Sequence, residues 1–253
     1  MATLLKASKQ PKAPKSKGYV LYEGASALNG KPIVAVATMD TANVKTGNMV
    51  QVWILSNEGL KPTEATKQGL DASVCGGCKH RQGQGGACYV NLGQAPRAVY
   101  DGYQRDIYSH NIEEFMAAIG SRKVRLGAYG DPAALPKELV KSIADNALAI
   151  TGYTHQWRSK RFQWALDYCQ ASVDSMAEVK LLQRIAPKAG YFRVTSGDTM
   201  ESNEIQCLSD THGISCLDCG KCDGKRSGQK IVIGVHGSLA KRFVEPSDII
   251  VVA

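Results

Sequence analysis

The sequence predicts an α/β fold: a partial (β/α)6 TIM-like barrel with parallel strands, an N-terminal β-hairpin extension and two cysteine-rich metal-binding loops. Short apolar runs alternate with helix-like segments from residue 49 onward, which is typical of βαβ units in a parallel sheet. Most of these runs end on small polar residues, as strands do at the active-site rim of a barrel. The length of 253 residues suits one barrel domain, and the 43% hydrophobic content is enough to fill its core.

Residues 1–17 are predicted to form a flexible basic tail, and residues 18–253 a single α/β barrel domain. The tail has five lysines and no acidic residue, so it carries five of the eight net positive charges of the chain. A tail of this composition is expected to be a disordered, solubilising arm. The alternative is contact with nucleic acid or another polyanion.

Strands are predicted throughout the domain. Within the β extension at 18–48, Gly18–Glu23 and Pro32–Thr38 flank the turn dipeptide Asn29-Gly30. The barrel at 49–253 has six strand candidates, which are Met49–Ser56, Lys123–Asp131, Ala147–His155, Cys169–Ser175, Tyr191–Asp198 and Ile231–Gly237. The helical segments predicted between and after them are Ala95–Tyr108, 136–146, Ser159–Tyr168, 176–186 and 238–243.

The ends of these strands supply the candidate catalytic residues, because the carboxyl ends of parallel strands line the site in such folds. We expect acid/base or ligand-binding roles for Asp131, His155, Asp174 and Asp198. Each of these residues taken alone is also a plausible helix cap or a satisfied polar group.

Two arginines lie inside strand candidates, and a buried arginine needs a partner. Arg125 and Arg193 are therefore expected either to pair with carboxylates at the rim or to hold an anionic ligand. Together with Tyr89 and Tyr129 they form the predicted cofactor-binding set.

The second cysteine loop has the sharper metal-binding pattern. Cys216, Cys219 and Cys222 are spaced as C-x2-C-x2-C, and Cys207 lies nine residues upstream. This spacing lets a short turn wrap a [4Fe–4S] cluster, as in bacterial ferredoxin motifs. Four thiolates can equally hold a structural Zn²⁺, although zinc sites more often pair two separate C-x2-C knuckles. The cluster is the favoured interpretation.

The first cysteine loop offers three thiolates in a glycine-rich segment. Cys75, Cys78 and Cys88 follow the pattern C-x2-C-x9-C, and His80 is a candidate fourth ligand for a Cys3His zinc site. The other alternative is a [4Fe–4S] cluster with three protein ligands and one open iron. Both alternatives stand. Cys169 begins a strand candidate and is expected in the core.

A parallel barrel whose first βα loop carries three cysteines resembles the radical S-adenosylmethionine superfamily. That superfamily usually has C-x3-C-x2-C with an aromatic residue before the last cysteine, whereas here Tyr89 follows Cys88. The resemblance implies one or two [4Fe–4S] clusters, S-adenosylmethionine as a further cofactor, its reductive cleavage, and a small-molecule substrate. The second cysteine loop resembles the auxiliary-cluster loop of one subgroup.

The chain also resembles an uncharacterised family of cysteine-rich phage and prophage proteins. The matching motifs are TGNMVQVWIL, CxxCxHR, RLGAYGDPAALP, TGYTHQWR and THGISCLDCGKCDG, and the match covers nearly the whole chain beyond the tail. This resemblance implies a viral origin and a metal-bound barrel, and no reaction. We expect the cytoplasm of the infected or lysogenic bacterial host, because no run approaches 18 apolar residues and no signal-peptide core is present.

The functional prediction is a phage-encoded iron–sulfur protein, with its status as an enzyme left open. The first alternative is a zinc- or cluster-stabilised nucleic-acid-binding protein used in phage replication or host takeover. In that case the tail and the aromatic and basic residues around Trp157 and Trp164 contact the polyanion, although these aromatics are equally typical of a core. A virion or host-interaction protein without chemistry is the second alternative, and no membrane contact is expected.

Overall fold

The computed structural model describes residues 16–197, 200–224 and 228–244, and it is a mixed α/β structure around one open, mostly parallel sheet. The nine strands lie in the order β1-β2-β3-β4-β5-β6-β7-β9-β8. Their bounds are β1 Gly18–Ala25, β2 Pro32–Thr38, β3 Val50–Ser56, β4 Lys123–Tyr129, β5 Ala149–Thr154, β6 Gln170–Val173, β7 Tyr191–Thr195, β8 Ile205–Gln206 and β9 Lys230–Gly234. Residues 1–15 of the predicted tail lie outside the described residues.

The first three strands are antiparallel neighbours. β1 pairs with β2 from Gly18↔Thr38 to Ala25↔Pro32, and β2 pairs with β3 from Ile33↔Ser56 to Thr38↔Gln51. Only residues 26–31 join β1 to β2, and a link this short suits antiparallel strands. Both faces of β2 are covered, which explains why its sequence PIVAVAT is apolar almost throughout.

The remaining strand pairs, from β3 to the far edge of the sheet, are parallel. All six predicted barrel strands are present, and they neighbour one another in chain order apart from the insertion of β8 at the edge. The sequence analysis does not assign β8, because two residues are too few to produce an apolar pattern.

The helices connect these strands. They are α1 Pro62–Lys67, α2 Ala72–Cys75, α3 Ala95–Gln104, α4 Ile112–Ile119, α5 Lys137–Asn146, α6 Met176–Ile185, α7 Leu208–Thr211 and α8 Cys216–Cys219. The predicted helical segment at 159–168 is instead a 3-10 helix over Lys160–Asp167. None of the helices in the described ranges has the length and the hydropathy that a bilayer-spanning segment requires.

The core has two parts. The larger part packs β1–β5 against α3, α4 and α5, with Val36, Ile54 and Phe115 fully buried. Cys169 belongs to this cluster and is fully buried, so its predicted place in the core is confirmed. The smaller part packs β6 and β7 against α6. Because the strands from β3 to β9 run parallel, their carboxyl ends, and the loops that follow them, lie at one edge of the sheet.

Candidate metal centre and adjoining cavity

One cavity of about 230 Å³ lies at the carboxyl ends of the parallel strands, between the two cysteine loops. Its walls come from five strands of the sheet, β4 to β7 and β9, and from both loops. The predicted site residues that line it are Cys75, Cys78, Cys88, Tyr89, Arg125, Tyr129, Asp131, His155, Asp174, Cys207 and Cys216. Asp198 lies outside the described residues, and Arg193, Cys219 and Cys222 do not line this cavity.

The first cysteine loop folds back on itself over residues 75–88. The amide of Cys78 donates to the carbonyl of Cys75 at 3.1 Å, and the amide of Cys88 donates to the carbonyl of His80 at 2.9 Å. These bonds bring the three thiols to one wall of the cavity. Burial, followed by repulsion from Cys78 and Cys88, raises the pKa of Cys75 well above its ordinary value. Burial also raises the pKa of Cys78 to about 12. A positive ion among these sulfurs would therefore be needed to hold them as thiolates at neutral pH.

Gly86 makes the fold of this loop sterically possible. A Cβ at this position would lie 2.3 Å from the carbonyl carbon of His80 and 2.6 Å from its Cα. Both atoms are backbone atoms, which cannot move aside cheaply. Glycine is therefore needed at position 86 because two backbone segments of the loop lie in close contact there.

The four cysteines of the second loop line a small cavity of about 30 Å³ beside the first one. Cys207 and Cys216 line both cavities, and so does Tyr153. The loop is attached to the segment before β3, because the amides of Cys216 and Leu217 donate to the carbonyls of Lys45 and Thr46. Burial raises the pKa of Cys222 to about 12, although its hydrogen bond with Tyr153 opposes the shift.

The spacing between the sulfurs bears on what the cysteines can hold. All eight cysteines are free, so the loops are not disulfide-linked. Among the described residues, one group of three metal-ligand atoms lies mutually within 4.8 Å, and that group contains no cysteine. Tetrahedral zinc requires its sulfurs about 3.8 Å apart, since each Zn–S bond is about 2.3 Å. No three cysteine sulfurs of the described residues therefore lie mutually within 4.8 Å.

That one group consists of His80, His155 and Asp174. His80 Nε2 lies 2.8 Å from Asp174 Oδ1, and the two imidazole rings are 5.7 Å apart. His155 Nε2 is also 3.7 Å from Cys78 Sγ, so the group adjoins the first cysteine loop. All three residues are candidates from the sequence, but no sequence pattern groups them, because His80 and Asp174 are 94 residues apart.

Asp131 caps the short 3-10 turn that follows it, which is the alternative to a catalytic role expected from the sequence. Its carboxylate accepts hydrogen bonds from the amides of Ala133 and His155, at 3.0 and 2.8 Å, and from the side chain of Gln156 at 3.3 Å. Burial raises its pKa, although these hydrogen bonds oppose the shift. Asp131 therefore positions His155, whose own pKa burial lowers to about 4.

The two strand arginines have different surroundings. Arg193 is paired with Glu204, through Nε to Oε1 at 2.8 Å and Nη2 to Oε2 at 2.6 Å. Pairing with a carboxylate was one of the two roles expected for Arg193. Nothing in the described surroundings of Arg193 supports the other role, cofactor binding. Arg125 lines the cavity and donates to the Tyr89 hydroxyl at 2.7 Å. No carboxylate of the described residues lies within ion-pair distance of Arg125.

Trp157, a candidate for stacking on nucleic-acid bases, is internal. Trp157 is fully buried and donates from its indole nitrogen to the carbonyl of Ser172 at 2.7 Å. Its ring is therefore unavailable for stacking on a nucleic-acid base, as expected if the aromatics belong to the core.

Comparison of this chain with models of known protein families, with curated proteins and with solved structures finds no match.

Proposed function

We propose that this chain is an iron–sulfur protein that holds two clusters beside one substrate cavity. Cys207, Cys216, Cys219 and Cys222 would hold a closed cluster, and Cys75, Cys78 and Cys88 would hold a cluster with one open iron. The observation that carries the proposal is the gathering of these seven cysteines around two adjoining cavities. Among the described residues no three of their sulfurs lie mutually within 4.8 Å, whereas tetrahedral zinc holds its sulfurs about 3.8 Å apart.

We also propose that the sheet curls into a partial barrel of six βα units. The Tyr89 ring, in the loop after β3, lies 5.2 Å from the His236 ring, which follows β9. These two strands are five neighbours apart in the sheet, a separation of about 24 Å if the sheet were flat. Contact between the two loops supports strong curvature around the cavity, as in the radical S-adenosylmethionine superfamily that the sequence resembles.

In this proposal the chain is an enzyme, and the open cluster would supply the electron for reductive cleavage of S-adenosylmethionine. The protein contributes the walls that exclude water, the thiolates of the first loop, and a buried cation. Arg125 is 8% exposed, faces the cavity and has no carboxylate partner among the described residues. A buried cation of this kind is stabilised by an anionic ligand, so Arg125 is assigned to the carboxylate of the bound cofactor or to an acidic group of the substrate.

Anaerobic purification followed by iron and sulfide analysis tests the cluster assignment. We expect brown protein with absorption near 400 nm and iron for two clusters. Cys88→Ala should remove only the first cluster and Cys222→Ala only the second, because the two sets line different walls. Cys169→Ala, in the core, is the matched control and should keep all the iron. Colourless protein containing only zinc would contradict the proposal.

The nucleic-acid-binding alternative has weaker support. Trp157, one of its candidate stacking residues, is fully buried. Residues 1–15 of the predicted basic tail at 1–17 lie outside the described residues and bear on neither alternative. If this alternative were right, single-stranded nucleic acid would bind at low salt and lose affinity steeply as salt rises. Under our proposal, deletion of residues 1–15 should leave the iron content unchanged.

A further inference from the structure

We propose that His80, His155 and Asp174 form a mononuclear site for a divalent cation of the Mn²⁺ or Fe²⁺ type, next to the cysteines of the first loop. The site uses none of the seven clustered cysteines, so the inference is independent of the cluster assignment. Two imidazoles and one carboxylate are the ligand set of the facial triads that hold such ions and leave other positions open.

The geometry is close to that of a loaded site. One ligand atom from each residue lies within 4.8 Å of the other two. The His80 Nε2 to Asp174 Oδ1 distance is 2.8 Å, near the separation of about 3 Å between two ligands of one ion with bonds of about 2.1 Å. A modest movement of His155 would complete the set.

A second observation, on Asp174, is independent of these distances. Asp174 is 1% exposed and lines the cavity, yet its Oδ2 atom has no hydrogen-bond partner among the described residues. A buried carboxylate oxygen is normally satisfied. A cation in the cavity would satisfy it, whereas the ion pair with His80 uses only Oδ1.

The neighbouring charges leave Asp174 available for this role. Glu178 is also buried, but its carboxylate is occupied by Lys79 at 3.0 Å and Arg158 at 2.5 Å. Its Oε2 atom accepts the amide hydrogen of Asp174 at 2.9 Å. Glu178 thereby fixes the backbone of Asp174, while Asp131 fixes that of His155. Both ligands are held by supporting hydrogen bonds, as is usual for metal sites.

The open positions of such an ion would face the cavity that Arg125 also lines. An anionic substrate could then be held by Arg125 and coordinated by the ion through a second oxygen. The structure thus points to a substrate with an acidic group and a nearby hydroxyl or carbonyl oxygen.

Mn²⁺ is the probe of choice, because thiolates select softer ions and the cysteine sets should compete weakly for it. Free Mn²⁺ is measured from its electron paramagnetic resonance signal during titration of the full-length chain. We expect one Mn²⁺ per chain. Asp174→Asn and His80→Ala should each weaken binding at least tenfold. His236→Ala replaces another cavity-lining histidine and should leave it unchanged.

Independence from the cysteines is tested on the Cys75→Ser/Cys88→Ser variant and on wild-type chain stripped of iron, with iron content and circular dichroism measured on each sample. Retained Mn²⁺ binding in the stripped chain supports the proposal whether or not iron was present originally. Loss of Mn²⁺ binding from folded, iron-free chain would mean that the histidines serve the cysteine-bound metal. No saturable binding up to about 1 mM Mn²⁺ would overturn the proposal.

Discussion

Arg125 and Arg193 occupy similar positions in β4 and β7 and are both buried, but they differ in what surrounds their charge. Arg193 makes two hydrogen bonds to Glu204, and the Tyr191 hydroxyl donates a third to the same carboxylate at 3.0 Å. Arg125 donates to a tyrosine hydroxyl, and no carboxylate in the described part of the chain pairs with it. Removing one partner of a buried ion pair destabilises the fold, whereas a buried arginine without a counter-charge costs free energy until a ligand arrives.

We expect Glu204→Gln to lower the free energy of unfolding by about 3 kcal/mol, because it removes the carboxylate charge that pairs with the buried Arg193. Urea unfolding at pH 7 measures this loss. Glu201→Gln is the matched control, since Glu201 is exposed. Equal stability of the two variants would contradict the structural role of the pair.

The same pair predicts a pH dependence. Burial raises the pKa of Glu204, but the hydrogen bonds from Arg193, from the Glu201 amide and from the Tyr191 hydroxyl, together with the Arg193 charge, lower it more, so its pKa lies below the ordinary value. The stabilisation is therefore full above the unfolded-state pKa of about 4.3 and is lost as the pH falls through the folded-state pKa. The stability difference between wild type and Glu204→Gln should shrink toward zero in acid. A difference that stays constant down to pH 3 would contradict this assignment.

Arg125→Met should behave in the opposite way. Removing an unpaired buried cation should leave the free energy of unfolding unchanged or raise it. The same variant should bind S-adenosylmethionine at least tenfold more weakly, because a charge-assisted contact is lost. Equilibrium dialysis on iron-loaded protein measures the affinity, and Arg125→Lys should retain part of it. Unchanged affinity in Arg125→Met would remove Arg125 from the ligand site.

Among the elements, the two cysteine loops differ from the rest of the fold, because they have little core of their own. The first loop depends on backbone contact between Gly86 and His80. The second loop depends on hydrogen bonds to Lys45 and Thr46, far away in sequence. Under the proposed function, metal binding would supply much of the free energy that orders these segments.

Gly86→Ala should displace His80 and Cys88 and so lose the first cluster while keeping the second. The new Cβ would lie 2.3 Å from the backbone of His80. Gly93→Ala is the matched control in the same segment, because its Cβ would make an ordinary contact at 3.4 Å. Iron content per chain distinguishes the two variants, and full iron loading of Gly86→Ala would contradict the described path of the loop.

At the scale of the whole molecule, the sheet is continuous but the core is divided. The larger cluster covers β1–β5, and the smaller one lies under β6 and β7. Lys45 joins the two halves, since its carbonyl holds the second cysteine loop and its amine lies 3.4 Å from His236. The half that contains β6, β7 and β9 adjoins the second cysteine loop. We therefore expect its stability to depend on metal bound by that loop.

Removal of iron should accelerate amide hydrogen exchange at residues 76–90 and 207–222 and, to a smaller degree, in β7 and β9. The amides of β2 and β3 should be unaffected, because they lie in the larger core cluster. Exchange monitored by mass spectrometry on iron-loaded and stripped protein tests this. Uniform acceleration across the sheet would instead indicate a single cooperative unit.

The sequence by itself determined the elements whose signal is local. The bounds of β2 are as expected, and all six strands predicted from residue 49 onward are present, since apolar runs and their polar ends are short-range patterns. The division of cysteines into sets of three, four and one also followed from spacing. The local signal was weaker at Lys160–Asp167, where the expected helix is a 3-10 helix. It was also weaker at α4, a helix that Asn111 caps and that was not predicted from the sequence.

The tertiary structure alone decided which side chains meet. It brought His80 to Asp174, paired Arg193 with Glu204 and left Arg125 without a carboxylate among the described residues. It also assigned Asp131 to backbone hydrogen bonds. These contacts join residues from different βα units, and their distances depend on how the sheet bends. A one-dimensional pattern carries no record of that bending, so it can name the residues at the rim without telling which of them share a ligand.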